Sequence, residues 1–430
     1  MNKYARPALL GLLAFGGILG SNPSWAAAGS LDPTFGANGV TVTTMVGASS
    51  STGVLLYSVK LQSDGKILVL ANVTSSSSAG STVATDVLRY TTGGALDATF
   101  GRNGVAAIPA TLGEIESMAV QPNGQILVAG VGSGALAVER LNPNGTVDTA
   151  FGSGGMALAS LNGRFPAPQI VVLAQPDGSI LLGGQLEPAG RGQSAQTLLA
   201  RFTPVGALDQ AFGNSGTVVV TGSGGCTTLA LLSTGDFQVV DAFNIAQFTS
   251  AGVLEPTSTG GTVVVSAGSQ NPSAASVMQP NGDYLLAGDV FVGRESRGHN
   301  AAAQVLRFTP SGTADTSFAT PTFHYSGPGG SGIEAIPHAL AVQANGDIVV
   351  AGDQTTATTT GTVIVNGLAR LTPSGNLDPS FGNGGTVANS IPAGTEGFAG
   401  VVIQPTDGKI VVIGYANNST AVTVSRYLAQ

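Results

Sequence analysis

Seven tandem copies of one Gly-rich motif, an apolar composition with little charge, and complementary half-motifs at the two chain ends predict an all-β fold: a seven-bladed β-propeller of four-stranded blades. Its ring is expected to close through an N-terminal strand that completes the last blade. Of 430 residues, 63 are Gly, 43% are hydrophobic and 9% are charged. A disordered chain would be richer in charge, and a helical bundle would be poorer in Gly and richer in Ala, Leu, Glu and Lys. Closed all-β architectures exceed the usual domain length, so residues 29–430 are expected to form a single unit.

The N-terminal segment reads differently. Lys3 and Arg6 precede the apolar run Ala8 to Gly20, then Ser21-Asn22-Pro23 and Trp25-Ala26-Ala27-Ala28. That order is expected of a Sec-type signal peptide with an A-x-A cleavage site over residues 1–28, which implies export to the periplasm or cell exterior. The run is shorter than the roughly 20 residues a membrane helix needs, and no membrane span is expected after cleavage. The lone Cys226 has no internal disulfide partner and is expected as a small buried hydrophobe.

Each copy opens on a hairpin. The turn glycines Gly65, Gly124, Gly178, Gly235, Gly282, Gly346 and Gly408 recur 47 to 64 residues apart. In the second copy, strands Ser117 to Gln121 and Ile126 to Gly130 flank Pro122-Asn123-Gly124, a turn suited to positive φ. A third strand is expected over Ala137 to Leu141, a corner over Val147 to Gly152, and a fourth strand over Met156 to Ser160. Second strands such as Lys66 to Leu70 and Lys409 to Ile413 are nearly continuous apolar runs, as expected when both sheet faces are covered. The chain starts in mid-motif, with Leu31-Asp32-Pro33-Thr34-Phe35-Gly36 and a strand Val40 to Thr44, and ends at Ser425-Arg426-Tyr427-Leu428, where that text would continue.

The phrase LxRLTPxGxLDxxFGxxG, carried by Leu368 to Gly385 and Leu198 to Gly216, and the phrase QPDGKILVAG, carried by Gln404 to Gly414 and Gln175 to Gly184, resemble the delta-60 repeat of bacterial proteins. The resemblance implies a propeller-like repeat in exported or surface proteins with no general assigned activity. Copy four departs most: Gln247, Glu255 and Ser258 stand in the Arg, Asp and Phe slots. Copy five has Ala319 where Gly follows the corner Phe elsewhere.

Charges that recur in every copy are expected to serve the frame. Arg89, Arg140, Arg201, Arg307, Arg370 and Arg426 share one slot; Asp32, Asp97, Asp148, Asp209, Asp315 and Asp378 share another. Copy four lacks both Arg and Phe, which suggests contact between guanidinium and ring. The unrepeated polar residues Arg191, Arg294, Glu295, Arg297, His299, His324, Tyr325 and Glu334 fall in the connections between second and third strands or in the long crossing Ala319 to His338. This loop-rich end is the expected binding face.

Aligning first strands by their turns places Tyr57, Glu116, Ile170, Thr227, Ala274, His338 and Ala399 at one level of the channel. Glu116 and His338 alone offer acid or base chemistry there. The low ligand count gives no metal site, and no cofactor motif is found. The net charge of −8, with few scattered basic residues, argues against nucleic acid as a partner. The expected function is a monomeric, exported, non-enzymatic binding or scaffold module whose loop face meets a protein, glycan or envelope component; the candidate ligand-binding residues are Glu116, Arg191, Arg294, Arg297, His299, His324, Tyr325 and His338. The alternative is a secreted propeller lyase or hydrolase acting at the channel mouth.

Overall fold

In the computed structural model the described residues are 27–45, 53–77, 80–109, 112–113, 115–160, 166–186, 196–220, 226–240, 244–256, 262–264, 271–292, 301–326, 332–358, 361–389, 397–417 and 419–430. Residues 1–26 of the expected signal segment 1–28 and the loop candidates Arg191, Arg294, Glu295, Arg297 and His299 lie outside them.

The described strands are all β. Strand β1 is Val40–Thr44. Four antiparallel strands follow in order, β2 (Val54–Leu61), β3 (Ile67–Ser77), β4 (Gly80–Tyr90) and β5 (Val105–Ile108). The next sheet is β6 (Ile115–Val120), β7 (Ile126–Gly132), β8 (Ala135–Leu141) and β9 (Met156–Ala159), and the third is β10 (Pro166–Ala174), β11 (Ile180–Leu186), β12 (Gln196–Phe202) and β13 (Thr217–Val220). The fourth is β14 (Thr228–Leu231), β15 (Phe237–Val240), β16 (Asn244–Phe248) and β17 (Thr262–Val264). A seven-stranded sheet then runs β18 (Asn271–Met278), β19 (Tyr284–Phe291), β20 (Ala301–Phe308), β21 (Gly332–Val342), β22 (Ile348–Thr358), β23 (Gly361–Leu371) and β24 (Thr386–Asn389). In the last sheet, β25 (Phe398–Ile403), β26 (Ile410–Ala416) and β27 (Ala421–Tyr427) are completed by β1, which pairs with β27 from Val40↔Ser425 to Thr44↔Ala421.

The described residues thus form six sheets where seven separate ones are expected. Copies five and six merge through one parallel bridge, Ala301↔Glu334. The cause is local to the fifth corner. In copy one the corner glycine Gly101 has φ 49°, and a Cβ there would run into the Val105 carbonyl oxygen at the start of β5. With Ala319 in that slot the same return is sterically barred. Among the described residues, Phe323 bridges Ala303 on β20 where a fourth strand is expected. The long crossing is also shorter than expected, because β21 begins at Gly332 and places His338 on a strand.

The repeated turns hold their expected conformation: all seven turn glycines have φ between 70° and 89°, a region closed to most side chains. Second strands are buried on both faces, Ile67 to Ala71 and Ile410 to Ile413 having no exposed surface. Among the described residues, seven apolar clusters lie between neighbouring four-strand units. The cluster between the last and first units joins Val411, Ile413, Val422 and Val424 to Val59, Ile67 and Val69. The first strands touch in a circuit, β2 with β6, β6 with β10, β10 with β14, β14 with β18, β18 with β21, β21 with β25 and β25 with β2.

Candidate functional site

The Arg, Asp and Phe slots form the frame around the site. Arg89 Nε lies 3.0 Å from Asp97 Oδ2, and Nη2 to Oδ2 distances are 2.8 Å for Arg140–Asp148, 2.7 Å for Arg201–Asp209, 2.6 Å for Arg307–Asp315, 2.7 Å for Arg370–Asp378 and 2.8 Å for Arg426–Asp32. Each guanidinium also sits 4.3 to 4.7 Å over its corner Phe ring. In copy four Gln247 Nε2 donates to Glu255 Oε2 at 2.9 Å, a hydrogen bond without a cation in place of the missing ion pair. Each Arg spends Nη1 on a carbonyl of the following unit: Arg89 on Pro143, Arg140 on Pro204, Arg201 on Ser250, Arg307 on Pro373, Arg370 on Ala429 and Arg426 on Thr92 of the first unit. Gln238 closes the gap left in copy four by donating to Pro310 O at 3.0 Å. These side chains are therefore bound into the frame from both ends.

The first strands enclose two cavities, of about 710 Å³ and 260 Å³, that share Tyr57, Ser58, Lys60, Thr227, Thr228 and Ser276. A β-bulge recurs on these strands. The extra residue is Tyr57 on β2, Glu116 on β6, His338 on β21 and Ala399 on β25. Bulges re-aim a side chain, and here they turn the aligned positions toward the channel. Strand β10 departs from the alignment: Ile170 pairs with Gly184, and Pro168 and Gln169 form the bulge.

Glu116 is committed to structure. Its Oε2 accepts the Gln169 N–H at 2.5 Å and the Ile170 N–H at 3.1 Å, holding the neighbouring bulge where Gln169 has φ 93°. His338 Nε2 lies 2.8 Å from Asp353 Oδ2. No hydrogen bond or ion pair among the described residues brings Glu116 and His338 together. Nor does any group of three or more His, Cys, Asp or Glu among the described residues have metal-holding geometry.

The loop candidates within the described residues divide. His324 is half-buried, and burial lowers its pKa. Tyr325 is not on a loop surface: it has no exposed area, meets the Phe323 ring edge-on at 5.7 Å, and fills the space left by Gly352 and Gly367. Two glycines facing one aromatic are the reason; any side chain at Gly367 would overlap the Tyr325 ring. Glu334 supplies the bridge to Ala301. Cys226 is buried, with no exposed surface.

Sequence reasoning missed Lys60 and Asp353. Lys60 keeps exposed surface on the shared wall of both cavities, and desolvation by the surrounding protein lowers its pKa. Its signal was present in the repeat: five residues before the turn glycine, the other six copies carry Ala119, Leu173, Ala230, Val277, Ala341 and Ile403.

One family model matches parts of the chain. The family model described as "Domain of unknown function (DUF5122) beta-propeller" matches residues 62–100, 121–151, 175–212 and 343–381. A search of curated proteins finds no match. Similar solved structures include a protein of unknown function from Dyadobacter fermentans DSM 18053 (11% identity, TM-score 0.45, covering 91% of this chain and 100% of that one). They also include the polysaccharide lyase Uly1 (10%, 0.45, 87% and 90%) and a putative gluconolactonase (12%, 0.36, 94% and 99%). Each family match runs from a turn Gln, at 62, 121, 175 or 343, to a corner Phe, at 100, 151, 212 or 381, so the matched segments carry β-propeller repeats.

Proposed function

We propose that the chain is an exported seven-bladed β-propeller of the delta-60 type that acts as a non-enzymatic binding or scaffold module, its loop-rich end meeting a protein, glycan or envelope partner. The circuit of first strands and the Arg and Gln hydrogen bonds that pass from each unit to the next support the ring. The binding role rests on one observation. The hairpins β3–β4 and β22–β23 have eleven-residue strands, longer than their counterparts, and carry Val83 and Ile364 at 54% and 57% exposure on their third strands β4 and β23. Apolar residues on projecting hairpins are what a partner surface uses. A photo-crosslinker at position 83 or 364 should trap an envelope partner, and Val83→Asp with Ile364→Asp should lose that partner at an unchanged melting temperature. Failure of both positions to crosslink any partner would refute the reading.

The enzymatic alternative has one observation in its favour, an imidazole oriented by the Asp353 carboxylate at the cavity wall. Turnover of a glycan substrate that disappears in His338→Ala would move the assignment to a lyase or hydrolase.

A further inference from the structure

We propose that the central channel holds a binding site for a small oxyanion-bearing metabolite, organised by the Lys60 ammonium where the two cavities meet. Besides the Tyr57 phenol and the Cys226 thiol, three ionisable side chains line these cavities: Lys60, Glu116 and His338. The Glu116 carboxylate is engaged by two backbone N–H groups, and His338 is paired with Asp353. Lys60 has no ion-pair partner among the described residues, whereas Lys66 lies 3.1 Å from Asp64 and Lys409 lies 3.0 Å from Asp32. A cation on a cavity wall left without a counter-charge is stabilised by an anion that enters the cavity, since Coulomb attraction grows as water is displaced.

The surroundings select small polar anions. Ser58 places a hydroxyl at the same space, which can donate to an oxyanion or accept from a polyol, while the Thr227 hydroxyl donates to Val240 O at 3.0 Å and helps fix the wall. Thr228 is hydrogen-bonded to Ser276 across the gap between β14 and β18, which fixes that wall. The larger cavity, about 710 Å³, falls within the size range of small-molecule sites. The Lys60 position is apolar in the copies that carry Ala119, Leu173, Ala230, Val277 and Ala341, so the frame itself does not require the charge.

The sequence has four lysines, Lys3, Lys60, Lys66 and Lys409, which makes the test direct. Reductive ¹³C-methylation preserves the lysine charge and gives each side chain its own NMR signal. The Lys60 signal is assigned by its absence in Lys60→Met and, should that variant not fold, in Lys60→Arg. Titration with citrate and, separately, inorganic phosphate should shift the Lys60 signal saturably at concentrations that leave Lys66 and Lys409 unmoved. Lys60→Met should weaken the calorimetric affinity at least tenfold, and the tighter-binding probe identifies the anion as carboxylate or phosphate. A Lys60 signal that stays fixed with both probes, or moves only in parallel with the other lysines, overturns the site. So does equal binding by Lys60→Met or, where only Lys60→Arg folds, a failure of the wild-type signal to saturate.

Discussion

Arg370 shows what a repeated charge does in this molecule. It is 5% exposed, paired with Asp378, stacked over Phe381, and bonded to the Ala429 carbonyl of the next unit at 2.5 Å. Removing it leaves a mostly buried carboxylate uncompensated, which typically costs about 3–5 kcal/mol. Arg370→Ala should therefore lower the unfolding free energy extrapolated from urea melts by an amount in that range, with Arg370→Lys recovering only part because an ammonium cannot make the forked contact. Glu139 is the contrasting charge. It is 2% exposed, its Oε1 has no partner among the described residues, and burial pushes its pKa up to about 7. The folded state then holds a proton that the unfolded chain releases near the ordinary carboxylate value, so stability falls as pH rises from about 4.5 through 7 and is level above it. Glu139→Gln should raise the melting temperature at pH 8 and flatten that slope. Asp97 works in the opposite sense. The Thr99 hydroxyl foremost, with the Thr99 N–H, Arg89 and Lys66, holds it down to about 2 against desolvation, so its contribution is lost as pH falls from the ordinary carboxylate value toward 2.

At the level of elements, hairpins and corners were legible because their positive-φ positions favour glycine. The Pro122-Asn123-Gly124 turn, the apolar run of β7 and the third strand β8 fall where local chemistry places them, and β1 lies over the residues expected, Val40–Thr44. Tertiary choices were not legible. The buried turn residues Gln121 and Gln343, which donate to Gly178 O and Gly408 O of the next unit at 3.0 Å, look like ordinary turn polarity in a linear sequence. The bulges that aim Glu116 and His338 are single-residue register shifts with no compositional mark, and the burial of Tyr325 depends on glycines 27 and 42 residues away. The corner rule itself is testable. Gly101→Ala places a Cβ against the Val105 carbonyl at φ 49°, so it should destabilise the protein by about 1–3 kcal/mol in urea unfolding. Hydrogen exchange should report the loss first in β5, the strand that the corner returns.

For the whole molecule the decisive contact joins residues nearly 400 positions apart. Arg426 on β27 reaches Asp32 at 2.8 Å, lies 4.7 Å over Phe35 and donates to Thr92 O of the first unit, while β1 pairs along the edge of β27. If the proposed ring holds, this seam clamps two units at once, because the cluster of Val411, Ile413, Val422 and Val424 also packs against Val59, Ile67 and Val69. An open stack would feel its loss at one end only, since repeats in a linear array contact only their neighbours. Deleting residues 27–44 removes β1, the Asp32 carboxylate and the Phe35 ring together and bares the backbone edge of β27. Exposed edges template association between chains. The deletion variant should elute as larger species in size-exclusion chromatography with light scattering. Its hydrogen-exchange protection should fall on both sides of the seam, in β2–β5 as well as in β25–β27. Loss confined to β25–β27, with β2–β5 as protected as in the intact chain, would mean that the first and last units do not depend on one another and that the units are not held as a ring.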